Sequence, residues 1–519
     1  MLVVTSKEMR ELDRLTIEKY RVPSLILMEH AGAAVAEALL DRFGKPAKGG
    51  VLVVCGKGNN GGDGLVVARH LKKKSIPCDV VLLARKEELA PDAAENFHAY
   101  LKVKGNVVEA AAGASARLGE RLKGKKLIVD AILGTGLKEE VRGLYADAIA
   151  AINNCALPAV AVDIPSGLDG DSGKPLGTAV KAKMTVALGY PKLGEVIYPG
   201  VSYAGELVVA DIGIRPEAVE EVRPRAALLE DKEIGALVPA REPDSHKGTY
   251  GHLLVVAGSR GKTGAAILAS RAGMRIGAGL VTLASARSLN DIFAGALVEV
   301  MTEPLRDNAD EEVAPLGDHE WRRILEKKSA VVFGPGVGVN DSTRSALWWL
   351  LRNLAVPLVL DADGLNLLAG DVERLGTVKH PPVLTPHPGE MARLIGADTA
   401  TVNNDRVGVA RLFAERHGCY VVLKGARTII ADPAGRIFIN PTGNPGMASG
   451  GMGDVLAGIL AGLLAQGFAI DDALKLGVFV HGFAGDRVAA VKGQIGLIAS
   501  DVIEALPETL KKLKEGARR

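Results

Sequence analysis

Short apolar runs rich in Val, Ile and Leu recur along the chain, each closed by Gly, Asp or Pro and followed by a stretch of helical period. They occupy residues 51–54, 79–83, 127–129, 159–162, 185–188 and 207–210, then 252–257, 280–283, 330–333, 358–360, 383–384 and 420–423. Continuous apolar strands between helices are buried on both faces, so this pattern specifies parallel sheets and an α/β fold. A chain of 519 residues exceeds what one core sustains. The alternation breaks between Arg215 and Pro243, where Arg, Glu and Pro crowd together. A composition shift of this kind predicts a division into residues 1–215 and 225–515.

Composition excludes several classes of function. With 63 Lys+Arg against 61 Asp+Glu there is no bulk field to draw in nucleic acid or an anionic membrane. Nine Phe, eight Tyr and three Trp are too few for a stacking platform, whereas 62 glycines suit many strand-to-helix turns. Cys55, Cys78, Cys155 and Cys419 have neither CxxC nor zinc spacing, which predicts a reduced, cytoplasmic compartment. Residues 1–15 lack the pattern of a signal peptide, and Thr5 with Glu8 predicts a capping box opening a helix. The apolar run 455–465 is too short to span a bilayer. The basic stretch 511–519 reads as a solvated end.

The first strand runs into CGKGNNGGDG, residues 55–64, which reads as a glycine-rich loop at a helix start and favours an anion there. Gly56, Gly58 and Gly61 satisfy GxGxxG, a weak pattern by itself. Asn59, Asn60 and Asp63 among the glycines exceed what a capped turn requires. Two further strands end on acids: Asp130 leads into a Gly134-Thr135-Gly136 turn, and Asp163 opens Asp-Ile-Pro-Ser166-Gly. In an open parallel sheet such loops line one crevice, and oxygen ligands on glycine turns suit a hard cation.

With LMEHAG, GNNGGDG, VDAILGTG, VDIPSGLDGDSG and GYPKLG, the first part resembles the NAD(P)H-hydrate epimerase family over nearly its whole length. A Rossmann-like parallel-sheet sandwich is the implied fold. The resemblance implies that Asn60, Asp130 and Ser166 hold K+. It also implies that Asn59, Asn60, Gly61, Gly62, Asp63, Gly134, Thr135, Gly136, Leu137, Lys138, Glu139, Glu140 and Asp163 contact the hydrated nucleotide. The hydroxyl to be inverted sits beside the ring nitrogen, so protonating it lets the nitrogen lone pair expel water and leave an iminium ion. Asp163 is the expected acid/base, with Lys192 as second proton carrier or charge partner.

In the second part, Gly261-Lys262-Thr263 is not a P-loop, because the spacing would need Gly where Val256 stands. More telling is NPGMASGGMGDVLAGILAGLL, residues 444–464, where small residues enter an apolar helix with Asp454 in its first turn. Capping alone, worth roughly 0.5–2 kcal/mol, needs one residue and not a run of glycines. Bare N–H groups at a helix start bind phosphate, and an acid beside them can activate a hydroxyl. His387 lies between Pro386 and Pro388, where no helical core histidine fits. Asp361 and Asp363 close a strand as magnesium ligands or helix caps.

These motifs are similar to ribokinase-like small-molecule kinases and resemble the ADP-dependent NAD(P)H-hydrate dehydratase branch. A ribokinase-like α/β domain follows as the expected fold. The resemblance implies that Ala265, Gly338, His387 and Asp454 contact the hydrate, and that Lys424, Gly425, Ala426, Arg427, Thr428 and Gly453 contact the nucleotide. ADP would be the co-substrate, with Mg2+. Expected partners are NADHX, NADPHX and ADP, with no nucleic acid or membrane, in a homo-oligomer. Two rivals stand beside this: a kinase of a small alcohol or vitamin precursor fused to a non-catalytic nucleotide-binding domain, and a first domain that only binds protein.

Overall fold

In the computed structural model, which describes residues 1–110, 114–308 and 311–517, the chain forms two compact units, Leu2–Ala226 and Ala227–Arg519. Each is α/β, the class that the apolar alternation predicts. No described helix is long and apolar enough to cross a membrane.

The first unit is built on seven parallel strands: β1 (Val51–Cys55), β2 (Cys78–Leu82), β3 (Asn106–Glu109), β4 (Leu127–Ala131), β5 (Ala159–Val162), β6 (Met184–Leu188) and β7 (Glu206–Ala210). Their spatial order is β3-β2-β1-β4-β5-β6-β7, all neighbours parallel. The order reverses between β1 and β4, where Val54 pairs with Asp130, so a crevice opens beyond their carboxyl ends.

Helix α1 (Ser6–Arg14) opens with the expected capping box. Thr5 Oγ1 accepts from Glu8 N at 3.2 Å, and Thr5 N donates to Glu8 Oε2 at 2.7 Å. A π-turn, Leu15–Lys19, follows directly. Ala218, in the helix Pro216–Val222, is buried with Val4, Met9 and Leu12, so the first unit continues past Arg215.

One expectation needs correction here. GNNGGDG is no loop but the first turns of α3 (Asn59–Lys73), whose neighbour on the other flank is α2 (Ser24–Lys48). The reason is close approach. A Cβ on Gly61 would lie 1.9 Å from the Gly56 carbonyl oxygen, one on Gly62 2.7 Å from Met28 Sδ, and one on Gly64 2.5 Å from Ala131 Cβ. The glycines press the helix start onto the strand turn, α2 and β4 at once.

The second unit holds β8 (His252–Val256), β9 (Leu280–Ala286), β10 (Met301–Leu305), β11 (Ala330–Phe333), β12 (Leu358–Leu360), β13 (Val383–Leu384), β14 (Tyr420–Leu423), β15 (Ile429–Ala431) and β16 (Ile437–Ile439). They lie in the order β16-β15-β14-β13-β12-β11-β8-β9-β10. Pairing is parallel from β10 to β14 and antiparallel from β14 to β16. The order reverses between β8 and β11.

Helix α4 (Thr263–Arg275) lies against α6 (Met452–Ala465), where Gly458 and Gly462 leave no room for a Cβ beside Ala269 and Ile276. Between them in sequence comes α5 (Pro388–Ile395), and α7 (Ile470–Lys492) follows α6. The stretch 511–519 is not simply a solvated end. Up to Ala517 it continues the helix Ala499–Ala517, which buries Leu513 in the core, and residues 518–519 lie outside the described residues.

Candidate active sites

In the first unit a cavity of about 800 Å³ lies at the β1/β4 switch point. Asn59, Asn60, Asp63, Gly134, Thr135, Gly136, Leu137, Lys138, Glu139 and Asp163 line it, as the sequence pattern suggests. Gly61, Gly62 and Glu140 do not: the glycines are buried in packing, and Glu140 turns to Arg142 at 2.7 Å. A Cβ on Gly134 would stand 3.4 Å from both Asn60 Cβ and an Asp163 carboxylate oxygen, so glycine keeps those two groups facing one space.

Asp163 follows β5 with φ +70°, and Ile164 N donates to Val162 O at 2.9 Å, a tight γ-turn around the aspartate. Left-handed backbone at a branched-free but non-glycine residue is strained and persists where its surroundings fix it. Here the fixing partner is Lys192, fully buried, whose ammonium donates to Asp163 Oδ1 and, at 3.4 Å, to Leu188 O. Burial alone would lower the Lys192 pKa, but Asp163 and Glu195 outweigh it and hold the ammonium above the usual lysine range. Acids crowd the same place. Burial, with Asp163 adjacent, pushes Asp13 up to about 7 and raises Asp63 well above the carboxylate range. Glu195 is pushed up to about 8 by burial while its Oε2 accepts from Lys192 N at 2.6 Å. Neither Asp13 nor Glu195 is distinguishable in the sequence from other helix acids.

Asp130 and Ser166 meet directly, Ser166 Oγ donating to Asp130 Oδ1 at 2.6 Å and Ser166 N to Oδ2 at 2.8 Å. Burial pushes Asp130 up to about 6, offset in part by these bonds. Leu133, next to Gly134, donates to Ser166 Oγ at 2.9 Å, which ties this pair to the cavity wall. Both polar atoms of the Asn60 amide are buried with no hydrogen-bond partner among the described residues. A buried amide in that state is costly unless something occupies it, so an oxygen-ligated cation fits.

In the second unit the proposed groups gather at the carboxyl ends of β12, β13 and β14. Lys424 Nζ, after β14, donates to Asp361 Oδ1 at 2.6 Å and lies 3.5 Å from Glu390 Oε2. These acids outweigh burial and raise its pKa. Thr385 Oγ1 also donates to Asp361 Oδ1, at 2.8 Å. Asp454, in the first turn of α6, is pushed up to about 7 by burial and by Asp361. Gly453 has only 3.3 Å between a would-be Cβ and Lys424 Nζ, which ties the glycine run to the acid–lysine cluster.

Asp363 Oδ2 accepts from Lys262 Nζ at 2.9 Å and from Gly338 N at 3.0 Å. Lys262 is the residue before α4, so this ion pair ties the start of α4 to the Gly338 turn. His387 is the N-cap of α5: its Nδ1 accepts from Gly389 N at 3.0 Å and Glu390 N at 3.3 Å, and half its side chain is exposed. Capping explains the Pro-His-Pro setting, and Nε2 lies 3.5 Å from Glu390 Oε1. The Lys424–Thr428 turn is clasped by Arg406, which donates to Ala426 O at 2.6 Å, Leu423 O at 3.2 Å and Lys424 O at 3.3 Å. Gly425 (φ +140°) and Arg427 (φ +58°) shape that turn. Sequence reading missed Glu390 and Arg406. Only Glu390 carried a signal, the capping spacing from His387.

Comparison with known proteins follows the same division. A family described as NAD(P)H-hydrate dehydratase matches residues 253–508, and one described as YjeF-related protein N-terminus matches residues 24–194. The chain is 43% identical over 99% of its length, and 98% of the relative's, to a bifunctional NAD(P)H-hydrate repair enzyme of Moorella thermoacetica. It is 42% identical over 99% of its length, and 97% of the relative's, to one of Thermofilum pendens. A solved ADP/ATP-dependent NAD(P)H-hydrate dehydratase of Bacillus subtilis, co-crystallised with ATP and Mg2+, covers 55% of this chain and 97% of its own at 29% identity and TM-score 0.47. Full-length likeness of this kind does not favour a vitamin kinase fused to an inert domain. The chain belongs to the family of bifunctional NAD(P)H-hydrate repair enzymes.

Proposed function

We propose that residues 1–215 form the domain that interconverts the R and S hydrates of NADH and NADPH, and that residues 225–515 form the domain that dehydrates the S hydrate with ADP. The observation that carries this reading is the full-length family likeness, together with a carboxylate held on a buried lysine in the 800 Å³ cavity.

In the first domain, protonation of the hydroxyl beside the ring nitrogen releases water and leaves an iminium ion. Asp163, paired with Lys192, stabilises that cation and takes or returns the proton. Asn59, Asn60, Asp63, Gly61, Gly62 and residues 134–139 shape the nucleotide's seat, the two glycines by packing, while Glu140 turns away to Arg142. Asn60, Asp130 and Ser166 would hold potassium, which would supply positive charge for a phosphate or hydroxyl oxygen. Potassium should raise the melting temperature of the wild-type chain and not that of Asn60→Leu.

In the second domain Asp454 deprotonates the hydroxyl, which attacks the terminal phosphorus of ADP as AMP leaves. With a pKa of about 7 the carboxylate is a competent base near neutrality. N–H groups of residues 446–453 stabilise the moving phosphoryl group. Phosphate then departs with its C–O electron pair, the nitrogen forms an iminium, and loss of a proton from the adjacent carbon restores NAD(P)H. Ala265, Gly338 and His387 contact the hydrate, and Lys424 to Thr428 with Gly453 the nucleotide. Among the described residues no group of three His, Cys, Asp or Glu is arranged to hold a metal, and Asp361 and Asp363 are engaged by lysines. Magnesium would therefore be held chiefly by nucleotide phosphates and would supply charge neutralisation there.

We place the enzyme in the cytoplasm as a homo-oligomer; four free cysteines support the compartment. Incubating the full chain with each hydrate epimer and ADP or ATP, with and without K+ and Mg2+, tests the reading. NADH absorbance should rise with release of AMP and phosphate, and a stable phosphoester without that rise would overturn it.

A further inference from the structure

The cavity of the first unit contains more proton-binding groups than the exchange uses. Asp163 ends β5 and is neutralised by a lysine with no exposed surface, so Lys192 is a fixed counter-charge and reaches the cavity only through Asp163. Asp13 comes from a separate element, the last turn of α1, and lines the same cavity. The π-turn that begins at Leu15 ends the regular helix directly after it. Insertions of this kind redirect side chains and recur at functional sites.

An exchange through an iminium ion needs two things at once: a proton for the hydroxyl that leaves one face of the ring, and a base for the water that adds to the other. One carboxyl cannot stand on both faces. We propose that Asp13 is the second catalytic acid/base of this site, working from the face opposite Asp163. This rests on the hydrate-exchange reading given above.

The atoms balance as follows. The Asp13 O–H bond breaks and its proton goes to the leaving hydroxyl, whose C–O electron pair departs with water while the nitrogen lone pair forms C=N+. Water then adds from the Asp163 side, the C=N pair returns to nitrogen, and the incoming water's proton goes to the Asp163 carboxylate. The opposite epimer runs the steps in reverse, and the pair is reset by proton exchange with solvent.

The groups that face Asp13 are consistent with a proton resting there. Asp163 adds negative charge beside Asp13, Lys192 partly offsets it, and Asp63 on α3 is itself raised by burial, Asp163 and Asp13. Glu195 lies behind Lys192, and Arg10 shares the helix of Asp13. Lys57, Asp92, Lys138 and Glu139 stand on the remaining walls. Burial first, and then Asp163, push Asp13 up to about 7 against the pull of Lys192.

The experiment uses the full chain, ADP and each epimer supplied separately at short times. Conversion of the S hydrate needs only the second unit and serves as the control. Asp13→Asn should lower kcat for the R hydrate about 100-fold or more, leave its KM within about threefold, and leave S-hydrate conversion unchanged. R-hydrate turnover of the wild type should fall as pH rises above neutrality, and the residue left in Asp13→Asn should lack that limb. Asp13→Glu should recover part of kcat. The proposal is overturned if Asp13→Asn keeps kcat within about threefold, if the wild type shows no basic limb, or if the variant retains it. A wild type without R-to-S exchange above the uncatalysed rate would instead sink the exchange reading itself.

Discussion

Lys192→Met removes one charge from a site where it is the buried cation among Asp13, Asp63, Asp163 and Glu195. Methionine roughly keeps the volume, so the loss is electrostatic. Lys192 has no exposed surface and Asp163 keeps only 14% of its own, so water cannot replace the lost partner. Breaking a buried pair from one side costs about 3–5 kcal/mol. For a unit spanning residues 2–226, each kcal/mol corresponds to about 2–4 °C, which puts the loss at about 6–20 °C. Hydrogen exchange of peptides from the first unit measures it without interference from the second. Lys192→Met with Asp163→Asn should recover at least about 1.5 kcal/mol, because no charge is then left stranded. A single variant that costs under about 1 kcal/mol, or two substitutions that simply add, would refute the account of Lys192 as an obligatory counter-charge.

Asp454→Asn should lower ADP-dependent conversion of the S hydrate by about 10²- to 10⁴-fold and leave exchange between epimers intact, as chiral separation of the hydrates can show. Asp13 and Asp454 rise to about 7 and Glu195 to about 8 on folding. A carboxyl whose folded pKa lies above its unfolded value binds more protons folded, so its contribution falls as pH rises from about 4 to 8. Denaturant unfolding at pH 5, 6.5 and 8 should therefore give progressively lower midpoints; a rise across this window would contradict it. Gly61→Ala puts a methyl 1.9 Å from the Gly56 carbonyl oxygen, backbone against backbone, and should cost about 3 kcal/mol or more in the first unit. Soluble, fully protected protein would show that α3 can step back. Arg406→Ala should raise KM for ADP more than it lowers kcat, since it frees the Lys424–Thr428 turn without touching Asp454.

Strands buried on both faces were legible because every residue in them is apolar, as in Val51–Cys55 and Ala330–Phe333. Those missed lie where that rule lapses. Asn106–Glu109 and Met301–Leu305 are edge strands, the second carrying Glu303 and Pro304, which only an edge tolerates. The antiparallel ribbon Ile429–Ala431 and Ile437–Ile439 is too short to display a period. The segment 215–243, read as a boundary from its composition, contains the division at Ala226/Ala227, with the helices Pro216–Val222 and Asp231–Leu237 on either side of it.

By itself the sequence determined the α/β class and marked Asp163, Asp454, Asn60, Asp130 and Ser166 as candidates, because each sits in a local pattern of glycines and acids at a strand end or a helix start. Only the tertiary structure decided what those groups meet. It made GNNGGDG a helix start pressed against three neighbours, buried Lys192 against Asp163 in the charge-partner arrangement rather than leaving it open to the cavity, made His387 a helix cap, and brought Asp13 to the same cavity as Asp163. The physical reason is that a side chain's charge, proton and role depend on its burial and on partners distant in sequence, 29 residues away for Asp163 and Lys192 and 63 for Asp361 and Lys424.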